Sequence, residues 1–146
     1  MKKEKKNLEV ESLKQQLARA LADYDNLRKR VEREREESKY LSKLVIVSRL
    51  LPVFDMIMDA QKHSGDAGLG IALKVLEDTL KDEGIEEVRT EVGSKFSPEL
   101  HEAVDTVEDK EKDGIVAEVL LKGYRFIDGP VIRYAKVKVF KKNINI

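Results

Sequence analysis

The sequence predicts an α+β protein: a long N-terminal helix that forms a dimeric coiled coil, short helices that form a dimeric four-helix bundle, and a small C-terminal all-β domain. Three observations support this class. Apolar residues recur at alternating spacings of three and four, a nearly continuous apolar stretch follows, and short alternating segments come after Gly84. We expect the three parts at residues 1–40, 41–84 and 85–146, with the first residues disordered.

The first element is a heptad seam. Its positions are separated by three and four residues in turn, and they hold Val10, Leu13, Leu17, Ala20, Tyr24, Leu27 and Val31. A stripe this narrow is buried well only against another helix. The chain has no second matching seam, so we expect a second copy as the partner; the alternative is a surface helix that lies on its own domain. Glu34 and Ser38 then interrupt the seam before Leu41 restores it.

The second element runs from Leu41 to Met58 with almost no polar face, which is typical of a helix buried on several sides. Pro52 removes one backbone donor there, so we expect a kink or a short break. Residues 63–70 are predicted as a loop, and a second helix follows from Ile71. One chain supplies too few helices for a bundle, whereas two chains supply four. The expected dimer contacts are Leu13, Leu17, Ala20, Tyr24, Leu27, Val31, Leu41, Leu44, Val45, Leu51, Phe54, Val75 and Leu76.

The third element begins after Gly84, which stands where a left-handed residue ends a helix. The alternation within the last predicted strand is regular, with Val131, Arg133, Ala135, Val137 and Val139 on one face. A turn is predicted at residues 128–130. The predicted strands are Ile85–Arg89, Ala103–Glu108, Ile115–Leu121, Gly123–Ile127 and Val131–Phe140.

Composition excludes several functions. The chain has no cysteine, which excludes disulfides, thiolate zinc sites and cysteine nucleophiles. His63 and His101 do not fall at metal-ligand spacing, and no phosphate-binding or hydrolase motif is present, so we expect no enzyme, metal or cofactor. We interpret His101 as a structural hydrogen-bonding residue. The charged start has no apolar segment after it and no stretch is long enough to span a membrane, so we expect a cytoplasmic protein.

Charge leaves two interaction classes open. The formal net charge is zero, from 28 basic and 28 acidic residues, with basic ends around an acidic middle. The segment RKRVERER beside the seam faintly resembles a basic region joined to a zipper. Glutamates interrupt it and the overall charge is zero, so we expect no nucleic-acid partner. A structural coiled-coil adaptor is the other alternative.

Three segments in order resemble the GrpE family, over about residues 18–140. The first is ALADYDNLRKRVERE, which resembles the family's Ala-(Asp/Glu)-x-x-Asn-x-(Arg/Lys)-(Arg/Lys)-Arg stretch and leads into SRLLPVFDMIMDAQ, with its Leu-Leu-Pro-Val-x-Asp element. The second is KFSPELHEAV, similar to Phe-(Asp/Asn)-Pro-x-x-His-x-Ala. The third is LLKGYRFIDGPVIRYAKVKV, similar to the Lys-Gly-Tyr…Ile-Arg-x-Ala-x-Val-x-Val signature. Pro130 stands where many relatives have an Arg that approaches the chaperone.

The resemblance implies a parallel homodimer that binds the nucleotide-binding domain of a DnaK-type chaperone, opens its cleft and promotes ADP release in protein folding and the heat-shock response. It also implies thermosensing by helix unwinding, which we place at the interrupted seam, and a hinge at Gly84. The expected chaperone contacts are Arg28, Lys29, Arg33, Lys39, Phe96, Pro98, Leu120, Pro130, Arg133 and Val139.

Each expected contact has a structural alternative. The helix charges could serve only in local ion pairs, such as Arg28 with Glu32. The apolar members could be core residues of a small domain, and Arg133 could be a paired structural arginine.

Overall fold

The computed structural model describes residues 1–143, so the last three residues of the expected 85–146 domain lie outside it. The helices are α1 (Lys2–Ser64) and α2 (Ala67–Asp82). The described strands are β1 (Ile85–Glu87), β2 (His101–Asp109), β3 (Val116–Leu121), β4 (Tyr124–Phe126), β5 (Val131–Arg133) and β6 (Ala135–Lys142). A long N-terminal helix, a second helix and small C-terminal sheets confirm the predicted α+β class.

Contacts divide the chain into two compact units, Met1–Leu44 and a unit that begins at Val45. The first unit is helical from Lys2, where we expected disordered residues. Its seam side chains are open to solvent: Leu13, Leu17, Tyr24, Leu27 and Val31 are between 48 % and 65 % exposed. The chain itself therefore leaves the predicted seam uncovered.

Both helices are longer than predicted. α1 runs through Pro52 without a break, because a proline removes one backbone hydrogen bond while the neighbouring turns keep theirs. The loop predicted at residues 63–70 shrinks to Gly65 and Asp66. Asp66 caps α2, since its Oδ1 accepts a hydrogen bond from the Leu69 N–H at 2.8 Å. This cap satisfies a donor of the first turn, so α2 begins four residues earlier than predicted.

The core of the second unit lies on one face of α1. Val47, Leu51 and Phe54 recur at helical spacing and pack with Ile85 of β1 and Tyr124 of β4. We expected Leu51 and Phe54 in the dimer interface, but both are only 2 % exposed in the single chain, because β1 and β4 already cover this face. The partly buried residues packed against this core are Met58, Leu73, Leu76, Leu80, Phe126 and Ile132.

The strands form two three-stranded sheets. One has the order β1-β4-β5 and is antiparallel; the other has the order β2-β6-β3, with β6 parallel to β2 and antiparallel to β3. The strand predicted at 131–140 is therefore two strands, one in each sheet, with exposed Tyr134 between them. Side chains keep alternating while the backbone changes sheet, so alternation alone predicted one strand. Of the five residues predicted to share a face, Ala135, Val137 and Val139 lie on the buried face of β6, whereas Val131 and Arg133 belong to β5.

A close backbone contact joins the two sheets. A Cβ placed on Gly123 would lie 2.5 Å from the backbone nitrogen of Ala135 and 2.9 Å from the carbonyl oxygen of Arg133. Only glycine fits so near another backbone. The segment that precedes β4 is thereby held against the point where the chain leaves β5 for β6.

Candidate functional site

The basic residues expected on the helix surface share one carboxylate. Arg28 Nη2 lies 3.1 Å from Asp25 Oδ1, and Lys29 Nζ lies 2.9 Å from Asp25 Oδ2. Arg28 therefore pairs toward the N-terminus with Asp25, rather than with Glu32 as we suggested from spacing. Such exposed pairs contribute about 0–1 kcal/mol each. A partner's carboxylates could replace Asp25 at little cost.

Local ion pairs also cover the interrupted part of the seam. Arg30 lies 3.6 Å from Glu34, and Lys39 Nζ lies 2.8 Å from Glu36 Oε1. The hydrogen bond and charge of Lys39 lower the pKa of the Glu36 carboxyl. Arg33 is exposed and lies within the span of the Arg30–Glu34 pair. The ion pairs of this segment are exposed, so they are weak and sensitive to salt.

The candidates on the β domain separate by burial. Leu120 is 45 % exposed, and Pro98 and Pro130 are also exposed. Val139 is 8 % exposed and belongs to the core around Val116 and Val137, and Phe96 packs against the same core. Burial favours the core-packing alternative for Val139 and, in part, for Phe96.

Arg133 forms a largely buried ion pair with Asp55. Its Nη1 and Nη2 lie 2.5 Å and 2.9 Å from the two carboxylate oxygens of Asp55 on α1. Its Nε and Nη2 also donate to the carbonyl oxygen of Lys122, at 3.1 Å and 2.7 Å. The side chains of Arg133 and Asp55 are only 18 % and 15 % exposed. This geometry favours the alternative of a paired structural arginine.

Around this pair the structure gathers residues that sequence reasoning missed. The Arg133 guanidinium lies over the Tyr124 ring, 5.6 Å from its centre. Burial raises the pKa of the Tyr124 hydroxyl far above its usual range. Lys122 Nζ lies 2.8 Å from Glu87 of β1 and 4.0 Å from Glu77 of α2. One signal was available, because Asp55 is the only acidic residue within the apolar stretch 44–58 and a charge on an apolar helix face requires a partner.

Gly84 has a left-handed backbone conformation, and both of its backbone polar groups are hydrogen-bonded. Its φ of 79° lies in the left-handed region, as a residue just beyond a helix end requires. Its N–H donates to the Lys81 carbonyl at 2.9 Å, and its own carbonyl accepts from the Ile127 N–H at 2.9 Å. A Cβ added here meets no heavy atom within 4 Å. A side chain at this position is therefore opposed by backbone conformation and not by a clash.

The remaining expected dimer contacts lie partly open. Within the single chain, Leu41, Val45 and Val75 are between 50 % and 60 % exposed. Leu44 and Leu76 are half-buried, and Leu76 packs against the core around Leu51. α1 therefore has two apolar faces, one covered by its own β domain and one exposed.

His101 has a structural position. It is buried, its Nδ1 accepts from the Ser97 N–H at 3.1 Å, and its ring lies 5.9 Å from that of Phe96. The predicted hydrogen-bonding role is confirmed. An accepting Nδ1 in a neutral ring places the proton on Nε2. Burial lowers the pKa of the imidazole. Among residues 1–143, acidic and histidine side chains form no cluster able to hold a metal ion.

Comparison with known proteins identifies one family. The GrpE family model matches residues 1–141. "Protein GrpE" of Clostridium tetani is 42% identical over 144 residues, which cover 93% of this chain and 70% of that protein. "Protein GrpE" of Methanothrix thermoacetophila is 41% identical over 128 residues (87% and 70%), and that of Francisella philomiragia is 36% identical over 140 residues (90% and 72%). Neither helix of the described chain has a stretch apolar enough to cross a bilayer.

We expect His101 to make the stability of the β domain depend on pH. Its folded-state pKa is lowered, so below about pH 6.5, the ordinary value, the unfolded chain binds a proton that the folded chain does not. Stability should therefore fall as the pH drops from 7.5 to 6. His101→Gln should flatten this dependence, as measured by urea unfolding at each pH. An NMR titration that gives His101 a pKa at or above 6.5, or a proton on Nδ1, would contradict the assignment.

Proposed function

We propose that this chain, which belongs to the GrpE family, promotes ADP release from a DnaK-type chaperone by binding its nucleotide-binding domain and opening the cleft. Family membership supports a co-chaperone role in DnaK nucleotide exchange. The observation that carries the proposal is the family match over residues 1–141. The chain would act by contact alone, and no bond would be made or broken.

The mechanism that we propose is a population shift. A factor that binds the open state of the chaperone more tightly than the closed state raises the population of open molecules. Linkage is reciprocal: the ratio by which bound nucleotide lowers the affinity for this chain equals the ratio by which this chain lowers the affinity for nucleotide. ADP leaves the open cleft, and ATP can enter and favour release of the factor.

Two surfaces would make the contact. On the helix, Arg28 and Lys29 already hold a carboxylate through exposed pairs that a partner's acidic groups could replace. On the β domain, exposed Leu120, Pro98 and Pro130 are the apolar candidates. Arg33, Lys39 and Phe96 remain weaker candidates, since their surroundings give no added support.

We also propose that the chain acts as a parallel homodimer. The seam from Leu13 to Val31 and the exposed face of residues 41–53 are large apolar surfaces that one chain leaves uncovered. Surfaces of this size on a protein usually mark an interface. A second copy would bury both, the first as a coiled coil and the second, together with α2, as a four-helix bundle.

A structural adaptor remains the competing function, because it would use the same helices without affecting nucleotide. Stopped-flow release of fluorescent ADP from a DnaK-type chaperone separates the two. The wild-type chain should accelerate release. Arg28→Ala should weaken chaperone binding by about tenfold or more, because a hydrogen bond to a charged group contributes about 1.5–3 kcal/mol.

Arg30→Ala is the matched control for that variant. Arg30 is 64 % exposed and Arg28 is 66 % exposed, and both form ion pairs along the helix. Heptad spacing places them on opposite flanks of the seam. Equal loss of affinity in both variants would show that the loss comes from the change in net charge and not from a specific contact of Arg28. An unchanged dissociation constant for Arg28→Ala would show that Arg28 is not part of the binding surface.

Gly84 is proposed as the connector that sets the β domain on α2. Gly84→Val should slow ADP release while the dimer remains intact, because a β-branched residue is strained at φ 79°. Gly84→Asn, which tolerates the left-handed region, is the control and should stay near wild type. The measurements are stopped-flow ADP release and the mass in solution by light scattering. Wild-type release rates in the valine variant would end the connector hypothesis.

We also propose that the chain senses temperature by unwinding of its long helix. The interrupted seam at residues 34–38 has no buried side chain and only exposed ion pairs, whereas the β domain packs around two cores. Helix loosening, followed by far-UV circular dichroism, should therefore precede melting of the β domain, followed by a fluorescent label. Replacing Glu34 and Ser38 by leucine should raise the midpoint temperature of the helix transition and leave that of the β domain unchanged. A single transition common to both signals would contradict this.

A further inference from the structure

We propose that Asp55 and Arg133 are positioning residues whose ion pair fixes the orientation of the β domain on α1. The inference rests on the proposed function, because orientation matters only if the β domain is presented to a chaperone. It assigns Arg133 a role that differs from the direct contact suggested by the sequence.

The pair has the geometry of a rigid connection. Each carboxylate oxygen of Asp55 accepts a hydrogen bond from the Arg133 guanidinium, and the Lys122 carbonyl accepts two more from it. A forked, largely buried pair fixes direction as well as distance. It joins residues 78 positions apart in sequence, on α1 and β5.

The connection reaches the second sheet through the backbone. Lys122, whose carbonyl binds Arg133, precedes Gly123, and the Gly123 backbone lies against Ala135 at the start of β6. The chain passes from Arg133 to β6 through Tyr134 alone. A change at the Asp55 end should therefore tilt both sheets together.

A second connection is weaker. Lys122 Nζ links Glu87 of β1 with Glu77 of α2, but these side chains are between 34 % and 43 % exposed. Solvent screens such charges far more than it screens the Asp55–Arg133 pair. The buried pair is therefore the connection that sets the orientation, and the Lys122 pairs support it.

A double-mutant cycle in the ADP-release assay tests the role. Asp55→Asn keeps the shape of the side chain and leaves the Arg133 charge in place, and Arg133→Gln removes the other partner. Each should slow release at saturating concentration by about threefold or more, and the double variant should be no slower than the worse single one, since both remove the same interaction. Arg133→Lys, which keeps the charge but cannot fork, should also slow release and provides a milder variant. Asp59→Asn, one helical turn further along α1 and exposed, is the control and should match wild type.

A spin-label distance measurement provides the structural readout. The chain has no cysteine, so Ser48→Cys on α1 and Lys136→Cys on β6 can be labelled cleanly and diluted with unlabelled chain. The distance distribution should broaden in Asp55→Asn and in Arg133→Lys, but not in Asp59→Asn.

Two results would overturn the proposal. One is slowed release in Arg133→Gln with normal release in Asp55→Asn, which would make Arg133 a direct contact. The other is an unchanged distance distribution in both Asp55→Asn and Arg133→Lys. If the wild-type chain fails to accelerate ADP release, the proposed function fails, but the distance measurement still decides whether the pair fixes the domain.

Discussion

The packing of Leu51 and Phe54 of α1 on Ile85 and Tyr124 is the contact on which the rest of the fold depends. A helix of 63 residues cannot cover its own apolar side chains. The chain covers one face with its own β domain and leaves the other exposed. Asp55 follows Phe54 directly, so the buried ion pair with Arg133 forms at the edge of this apolar contact. There, exclusion of water strengthens the attraction between the two charges.

Burial gives the arginines of this chain two different roles. Arg28 is 66 % exposed and shares its carboxylate with a lysine, so its pairing contributes little and can be exchanged. Arg133 is 18 % exposed and makes four hydrogen bonds with its guanidinium, so removing Asp55 would leave a largely buried charge with only the Lys122 carbonyl as its hydrogen-bond acceptor. Both belong to segments that resemble family motifs, but Arg28 is accessible at the surface whereas Arg133 is held by residues of its own chain.

Much of the fold followed from periodicity, and the errors share a cause. The long N-terminal helix, the end of α2 at Gly84 and the buried face of β6 depend on local spacing, and local spacing is visible in a sequence. The break at Pro52, the long loop at residues 63–70 and the single strand at 131–140 were wrong. In each case an interaction outside the local pattern determined the structure. The helical turns around Pro52 keep their hydrogen bonds, Asp66 caps α2, and β5 and β6 pair with different sheets.

The candidate site was less accessible to sequence reasoning, because its central contact joins residues far apart. The sequence offers a structural ion pair as one role for Arg133, but only the packing of β5 on α1 identifies Asp55 as its partner. A lone carboxylate within residues 44–58 indicated that some cation must face that helix, and the candidates included every lysine and arginine of the β domain. The fork selects arginine over lysine, because only a guanidinium can bind both carboxylate oxygens of Asp55 and a carbonyl in one plane. The arginine of the Ile-Arg-x-Ala segment therefore has a structural role within the chain that requires no partner.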